Sequence, residues 1–130
     1  MVSPLYNRAN RLRRQALRIE RFHDLWNKQR GRCHYCGCKM ILRADLKLIP
    51  GDRIPYIAEM ASEDHILPRS RKGPNTRENL CIACQHCNKK KSDRTDTEFR
   101  IDCRIWLSLR RALFDLDGNR IEPPGTEAES

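Results

Sequence analysis

The stretch ASEDHILPRSRKGPNTRENLCIACQHCNKKKSDR, residues 61–94, is the most informative part of this 130-residue chain. Its chemically useful side chains are Asp64, His65, Asn79, Cys84, Cys87 and Asn88, followed by three lysines. Taken alone, each has a structural explanation, such as a hydrogen-bonded pair, a turn residue or a helix cap. In this order and at these spacings, they indicate one site with metal-dependent chemistry.

The cysteines predict a structural zinc ion. A Cys-x-x-Cys pair supplies two of the four ligands of a closed tetrahedral site, so a second pair is needed, and GRCHYCG contains it far upstream. Cys81-x-x-Cys84 is a competing pair, but Cys81 lies between apolar neighbours, as in a short strand. We therefore assign the zinc to four cysteines and leave Cys38, Cys81 and Cys103 outside the site. The predicted zinc ligands are Cys33, Cys36, Cys84 and Cys87.

Composition limits the fold and the class of partner. A chain of this length is one domain, and 6% aromatic with 33% charged residues gives a modest core that benefits from a bound metal. The net charge of +9 favours a polyanion, and nucleic acid is a commoner partner for such a chain than a membrane surface. We expect no signal peptide, no transmembrane segment and, from the cysteine usage, a reducing cytoplasm.

The first 32 residues predict a basic helix that packs on the core. Ser3-Pro4 is a helix start, and Gly31 is a helix stop. The apolar stripe consists of Leu5, Ala9, Leu12, Ala16, Ile19, Phe22 or His23, and Trp26. The segment holds nine Arg or Lys residues against two acidic ones. The basic face is either a solvated surface or an arm that follows a nucleic-acid backbone, and the sequence favours neither.

Residues 33–94 predict two strands and a helix around one site. Residues 57–66 resemble a strand, a second follows Asn79, and residues 85–92 are a helix; residues 37–60 give no clear signal. Strand alternation sends Asp64 and His65 to opposite faces unless the backbone bends between them.

The rest of the chain predicts one helix and a tail. Residues 95–116 form a C-terminal helix with a capping signal at Thr95, which packs against the N-terminal helix and covers the cysteines. Residues 117–130 are an acidic tail that we expect to be disordered. The fold class is α+β, with helices on both sides of a small metal-stapled core.

At this point the motifs can be compared with a known family. Cys33-x-x-Cys36, Asp64-His65-Ile66-x-Pro68, Asn79-Leu80 and Cys84-x-x-Cys87-Asn88 with Lys91 resemble the HNH endonucleases, which have the ββα-metal fold. The resemblance covers roughly residues 30–94. One difference from the usual signature is that its third position is Asn88 rather than histidine. Asparagine still offers an oxygen to magnesium, so metal-dependent activity stays possible. Because the usual histidine is replaced, the preferred metal is left open.

The resemblance implies the catalytic roles. His65 is the general base, Asp64 and Asn88 hold the catalytic divalent ion, and Asn79 braces the loop. Imidazole, with an unperturbed pKa of about 6.5, suits the deprotonation of water near neutral pH. A hard cation on oxygen ligands stabilises charge on the phosphate, which predicts 5′-phosphate and 3′-hydroxyl ends. Mg²⁺ or Mn²⁺ is expected, with Ni²⁺ and Zn²⁺ also open.

The predicted partner is DNA, duplex first, with RNA left open. The residues expected to bind it are Arg69, Arg71, Lys72, Lys89, Lys90, Lys91, Arg11, Arg14 and Arg18. A homodimer and a larger phage or restriction complex both stay open. The alternative function is a non-catalytic zinc-knuckle module that binds nucleic acid, and it differs from the first in having no use for an imidazole beside a carboxylate.

Overall fold

The computed structural model describes residues 3–121, which contain four helices and two strands. In chain order these are α1 Pro4–Gln29, β1 Ala61–His65, β2 Leu80–Cys84, α2 Gln85–Lys91, α3 Asp96–Asp102 and α4 Arg104–Arg111. No helix among these residues is both long enough and apolar enough to cross a membrane.

The two strands and α2 form the centre of the fold. β1 and β2 pair antiparallel, from Ala61 opposite Cys84 to His65 opposite Leu80. β2 is buried along its whole length, and α2 begins at the next residue. This confirms the α+β class and the predicted order of strand, strand and helix. β1 is shorter than predicted, because residues 58–59 form a turn before it.

α1 is confirmed as a helix, but most of it does not pack on the core. Ser3 caps it through its hydroxyl, and Arg30 ends it in the left-handed conformation. Leu5, Leu12 and Ile19 on the predicted stripe are 78%, 56% and 52% exposed. Only the last turns reach the body, where Leu25 is buried. The helix is therefore an arm attached at its C-terminal end. The prediction that its stripe packs on the core holds for Phe22 and Trp26 and is wrong for the earlier turns.

Gln29 fastens the end of α1 to β2. Its amide nitrogen donates to the Ile82 carbonyl at 2.7 Å, and its amide oxygen accepts from the Ile82 N–H at 2.8 Å. The side chain thus pairs with one residue of the strand as a neighbouring strand would.

The predicted C-terminal helix is two helices. Thr95 and Glu98 form the expected capping box at the start of α3. The helix is interrupted at Cys103, and α4 begins at the next residue. α1 makes its main tertiary contact with β2 rather than with α3 or α4. The predicted packing on α1 is therefore not what holds α3 and α4 in place. α4 instead approaches the cysteines, where the Arg110 guanidinium lies 3.8 Å from Cys84 Sγ.

The start of the predicted acidic tail is ordered. Gly118 accepts a hydrogen bond from the Lys39 N–H at 2.8 Å, and the Ile121 N–H donates to Leu113 at 2.7 Å. Residues 117–121 therefore form a turn that packs next to the loop of Cys33 and Cys36. The prediction that the tail begins at residue 117 is corrected, because these residues belong to the folded body. Residues 122–130 lie outside the described residues.

The core surrounds the cysteines. Its largest fully buried side chains include Tyr35, Phe99, Ile82 and, unexpectedly, Lys91. Residues 42–59 have one short 3₁₀ turn, Arg43–Asp45, and join the body through the pairing of Ile41 with Met60.

Candidate functional site

The four predicted cysteines come together. The sulfur atoms of Cys33, Cys36, Cys84 and Cys87 all lie within 4.8 Å of one another, and all four residues are buried. Cys36 and Cys84 Sγ are 3.8 Å apart. A tetrahedral zinc ion with Zn–S bonds of about 2.3 Å requires sulfur atoms about 3.8 Å apart, so the cluster fits zinc.

Backbone groups and one arginine surround these sulfur atoms. The Cys84 N–H donates to Cys33 Sγ at 3.3 Å, and the Cys87 N–H donates to Cys84 Sγ at 3.4 Å. Hydrogen bonds with the neighbouring thiols, first with Cys36, lower the pKa of Cys33 to about 3. The pKa of Cys84 is also lowered, chiefly through Cys33. The contact with Cys33 raises the pKa of Cys36 and of Cys87, so protons stay on these two thiols without a metal, and zinc binding requires that all four thiols lose them.

The remaining cysteines lie outside the cluster. Cys81 Sγ faces the Tyr35 hydroxyl and Asp64 Oδ2, at 3.8 Å from each. The competing Cys81–Cys84 pair is therefore excluded. Cys38 and Cys103 are buried without belonging to the four-sulfur group.

Asp64 and His65 are adjacent on β1, and Asp64 is the more buried of the two. Asp64 is only 6% exposed. Its Oδ2 accepts from the Tyr35 hydroxyl at 2.6 Å and lies 3.3 Å from Lys91 Nζ. Asp64 is thus held by interior side chains, whereas His65 is only partly buried.

His65 faces the loop that follows β1. Its Nε2 lies 2.5 Å from Asn75 Oδ1. The carbonyl of Asn75 in turn accepts from Arg21 at 3.4 Å, so this loop joins the histidine to α1. Nothing in the sequence singled out Asn75, because its partners lie 10 and 54 residues away.

Asn79 has the geometry of a loop brace. Its Oδ1 accepts from the Leu67 N–H at 2.8 Å, and its Nδ2 donates to the carbonyls of Leu67 at 3.0 Å and Pro74 at 2.9 Å. These bonds hold both ends of the segment that carries Asn75.

Asn88 lies on the first turns of α2, beside β1. Its Nδ2 donates to Ser62 Oγ at 3.0 Å, which fixes the orientation of the amide. Asp64, His65 and Asn88 all line one shallow depression of about 280 Å³. Glu63 and Asp93 also line it, so its donors are hard oxygen atoms of the kind that Mg²⁺ and Mn²⁺ prefer.

The donor set of this depression fits a hard divalent ion. Mg²⁺ is usually bound by one or two carboxylates and keeps several waters, so Asp64 and Asn88 are a sufficient protein contribution. Lys91 is a competing positive charge beside Asp64, but a carboxylate has about four acceptor positions and is not exhausted by its three donors, Tyr35, Cys81 and Lys91.

The predicted nucleic-acid-binding residues fall into three groups. Arg11, Arg14 and Arg18 are exposed and, with Arg21 and Asn75, line a surface concavity of about 520 Å³. Arg69, which lines the depression, and Lys72 are exposed, whereas Arg71 is paired with Glu98. Lys89 and Lys90 are exposed and lie over the rings of Tyr56 and Trp106.

Lys91 is a correction to this prediction. Its side chain is 0% exposed, so it cannot contact a phosphate on the surface. Its Nζ donates instead to the His65 carbonyl at 2.8 Å and to Asp64 Oδ1 at 3.4 Å. The lysine triplet thus has two surface members and one internal member.

Comparison with known protein families gives a match over the central part of the chain. A model of the HNH endonuclease family matches residues 33–94, which contain both cysteine pairs and the depression. A comparison with curated protein sequences gave no match. Residues 33–94 are therefore similar to the HNH endonuclease domain. The match supports nuclease or nucleic-acid-binding function in general, and the four cysteines are positioned to bind a metal.

Proposed function

We propose that this protein is a metal-dependent endonuclease that hydrolyses phosphodiester bonds of DNA. The observation that supports this most directly is that Asp64, His65 and Asn88 line one depression inside the segment that matches the HNH family. A general base and two oxygen donors on one surface are the minimum that metal-assisted hydrolysis of a phosphate requires.

His65 is the general base in this proposal. The Asn75 side-chain oxygen can only accept, so His65 Nε2 donates to it and Nδ1 keeps the lone pair. The Asn75 contact then orients the ring, as in other bases whose second nitrogen is held by a fixed partner. A water molecule at Nδ1 would lose its proton to the imidazole and attack the phosphorus.

Asp64 and Asn88 are the residues that would hold the catalytic ion. When bound, Mg²⁺ or Mn²⁺ would stabilise negative charge on the phosphate and on the departing 3′ oxygen. Ser62 orients the Asn88 amide, and Asn79 keeps the Asn75 loop in place. The products are then a 5′-phosphate and a 3′-hydroxyl.

DNA would reach the depression along the basic arm. Arg11, Arg14 and Arg18 repeat at steps of three and four, so they share one helix face with Arg21. Arg21 touches the carbonyl of Asn75, whose side chain touches His65. A phosphate backbone bound to this face is thereby directed to the catalytic residues, and Arg69 and Lys72 contact it on the far side.

Cleavage of supercoiled plasmid tests the proposal. Zinc-loaded wild type is incubated with Mg²⁺ or Mn²⁺ beside His65→Ala, with His23→Ala as the matched control because His23 is exposed on α1. Removing a general base costs about 10²- to 10⁴-fold in rate, so His65→Ala should lose cleavage while keeping DNA retention in a gel shift. His23→Ala should cut like wild type. End analysis should find 5′-phosphates.

The alternative is a zinc-stabilised nucleic-acid-binding module without catalysis. The specific observation in its favour is that Asp64 is nearly buried and already paired with Lys91 and Tyr35. If the wild type shifts DNA but leaves plasmid uncut across Mg²⁺, Mn²⁺, Ni²⁺ and Zn²⁺, the binding module is the correct function.

A further inference from the structure

Tyr35 connects the cysteine cluster to the catalytic depression. It lies inside the first Cys-x-x-Cys loop, and its N–H donates to Cys33 Sγ at 3.4 Å. Its side chain extends inward, is 1% exposed, and ends with the hydroxyl 2.6 Å from Asp64 Oδ2. One residue therefore touches a zinc ligand with its backbone and a proposed ligand of the catalytic ion with its side chain.

The ring of Tyr35 is held from several sides. It packs edge-on against Phe99 of α3, with ring centroids 5.0 Å apart, and against His34 at 4.8 Å. The Tyr35 carbonyl accepts from Arg111 of α4 at 2.8 Å. A side chain fixed in this way holds its hydroxyl at one position. The hydroxyl can therefore orient the Asp64 carboxylate to which it donates.

Asp64 also receives a charged donor from another element. Lys91 Nζ lies 3.4 Å from Oδ1 and 3.3 Å from Oδ2, and it also donates to the His65 carbonyl. Tyr35 and Lys91 come from different elements, one from the first cysteine loop and one from α2. Together they leave the carboxylate little freedom to rotate.

We propose that Tyr35 is a positioning residue that sets the orientation of the Asp64 carboxylate toward the catalytic divalent ion. This inference rests on the proposed function. The first Cys-x-x-Cys loop then does more than stabilise the fold, because it carries the tyrosine whose hydroxyl orients the Asp64 carboxylate. Groups that orient metal ligands typically change metal affinity or activity by 10- to 100-fold when they are removed.

Manganese binding by Tyr35→Phe is the primary test. The variant keeps the ring and loses only the hydroxyl, and Tyr56→Phe is the matched control because it removes an exposed hydroxyl that contacts His86. With zinc content verified at one per chain, titration calorimetry with Mn²⁺ should show about tenfold weaker binding for Tyr35→Phe. Tyr56→Phe should bind Mn²⁺ like wild type.

A double-mutant cycle separates orientation of Asp64 from a general loss of stability. In an Asp64→Asn background, Tyr35→Phe should cause no further loss of Mn²⁺ affinity, because the carboxylate that it orients is gone. Equal losses in both backgrounds would mean that the hydroxyl acts elsewhere, and the inference would be overturned.

The wild type itself provides a measurement that needs no variant to fold. The Tyr35 hydroxyl proton should be protected from solvent exchange, and its NMR signal should move when Mg²⁺ is added. If the Asn88 side-chain amide signals move and this one does not, Tyr35 does not orient the ligand. If the wild type neither binds Mn²⁺ nor cleaves DNA, the proposed function fails; if it does both and Tyr35→Phe matches it, only this inference fails.

Discussion

Asn79 makes three hydrogen bonds with the loop that carries Asn75. Asn79→Ala removes all three and leaves backbone groups of Leu67 without their partner. At about 1 kcal/mol for each bond, the free energy of unfolding should fall by about 2–3 kcal/mol. Urea denaturation of the zinc-loaded protein measures this. Asn27→Ala, at an exposed position of α1, should change stability by less than about 0.5 kcal/mol; equal effects would contradict the bracing role.

Gly73 is required by a close approach of two backbone segments. A Cβ at this position would lie 1.7 Å from the Leu67 carbonyl oxygen and 2.9 Å from that of Pro68. Gly73→Ala must therefore displace the loop, at a cost of about 3 kcal/mol. Gly37→Ala is the comparison, because its Cβ would meet nothing within 4 Å and only the positive φ of 77° resists it, at about 1–2 kcal/mol. Thermal melting should rank Gly73→Ala below Gly37→Ala, and the reverse order would contradict the loop geometry.

Sequence spacing predicted the four-cysteine cluster, because two Cys-x-x-Cys pairs commonly bind one zinc ion. It could not predict the partners of the proposed catalytic residues. Asn75 and Tyr35 act through contacts with residues 10 and 29 positions away, and nothing local marks them. Lys91 was misassigned because a lysine triplet ordinarily lies in solvent, whereas the turn of α2 directs its third member inward between Asp64 and the His65 carbonyl.

At the scale of secondary structure, α1 shows that a periodic pattern predicts a helix but not how much of that helix is buried. The apolar repeat predicted the helix correctly, but it did not indicate that the body reaches only the last turns. Leu25 is buried and Leu12 is 56% exposed, although both are leucines on one helix. Leu25→Ala should therefore lower the free energy of unfolding by about 2–4 kcal/mol, and Leu12→Ala by less than about 0.5 kcal/mol. Matched losses in chemical denaturation would mean that α1 packs along its whole length.

The break between α3 and α4 has a similar origin. Phe99, Cys103 and Trp106 continue one helical repeat through the break, so sequence alone predicted one helix. The backbone at Cys103 has φ −112° and ψ 25°, and α4 leaves in a direction that brings Arg110 to Cys84 and Arg111 to Tyr35. The packing around the cysteines thus overrides the local helical preference.

At the scale of the whole molecule, folding should depend on zinc. The core is small and is built around the four thiols, so a strong chelator at neutral pH should abolish the cooperative thermal transition, as for other metal-stapled domains. Cys36→Ser should behave like the chelated wild type, and Cys103→Ser should retain zinc because Cys103 is not in the cluster. Zinc release and circular dichroism measure both. Cooperative melting without zinc would contradict this role.

The same thiols determine the direction of the pH dependence. Contacts within the cluster, first with Cys36, lower the pKa of Cys33, but contacts with Cys33 raise the pKa of Cys36 and of Cys87, so these shifts oppose one another. Zinc decides the direction, because it binds thiolates and not protonated thiols. It therefore stabilises the fold at neutral pH, and this contribution is lost as the thiols are protonated in acid. Stability measured from pH 8 to pH 4 should therefore decrease steadily, with zinc release on the acidic side; greater stability in acid would contradict the thiolate assignment.

DNA binding by the basic face of α1 can be tested separately from catalysis, because its arginines lie away from the cysteine cluster. Arg11, Arg14 and Arg18 are exposed on α1, clear of the cysteine cluster, so replacing all three with glutamine should leave zinc binding and the melting temperature unchanged. Each phosphate contact contributes about 0.9 to the slope of log affinity against log salt, so the triple variant should lower the slope by about 3. The control is Arg8→Gln with Arg13→Gln and Lys28→Gln, which removes the same charge from other positions of α1. A slope that falls equally in both variants would show that DNA senses net charge alone, whereas a selective fall would place the DNA backbone along the face that leads to Asn75 and His65.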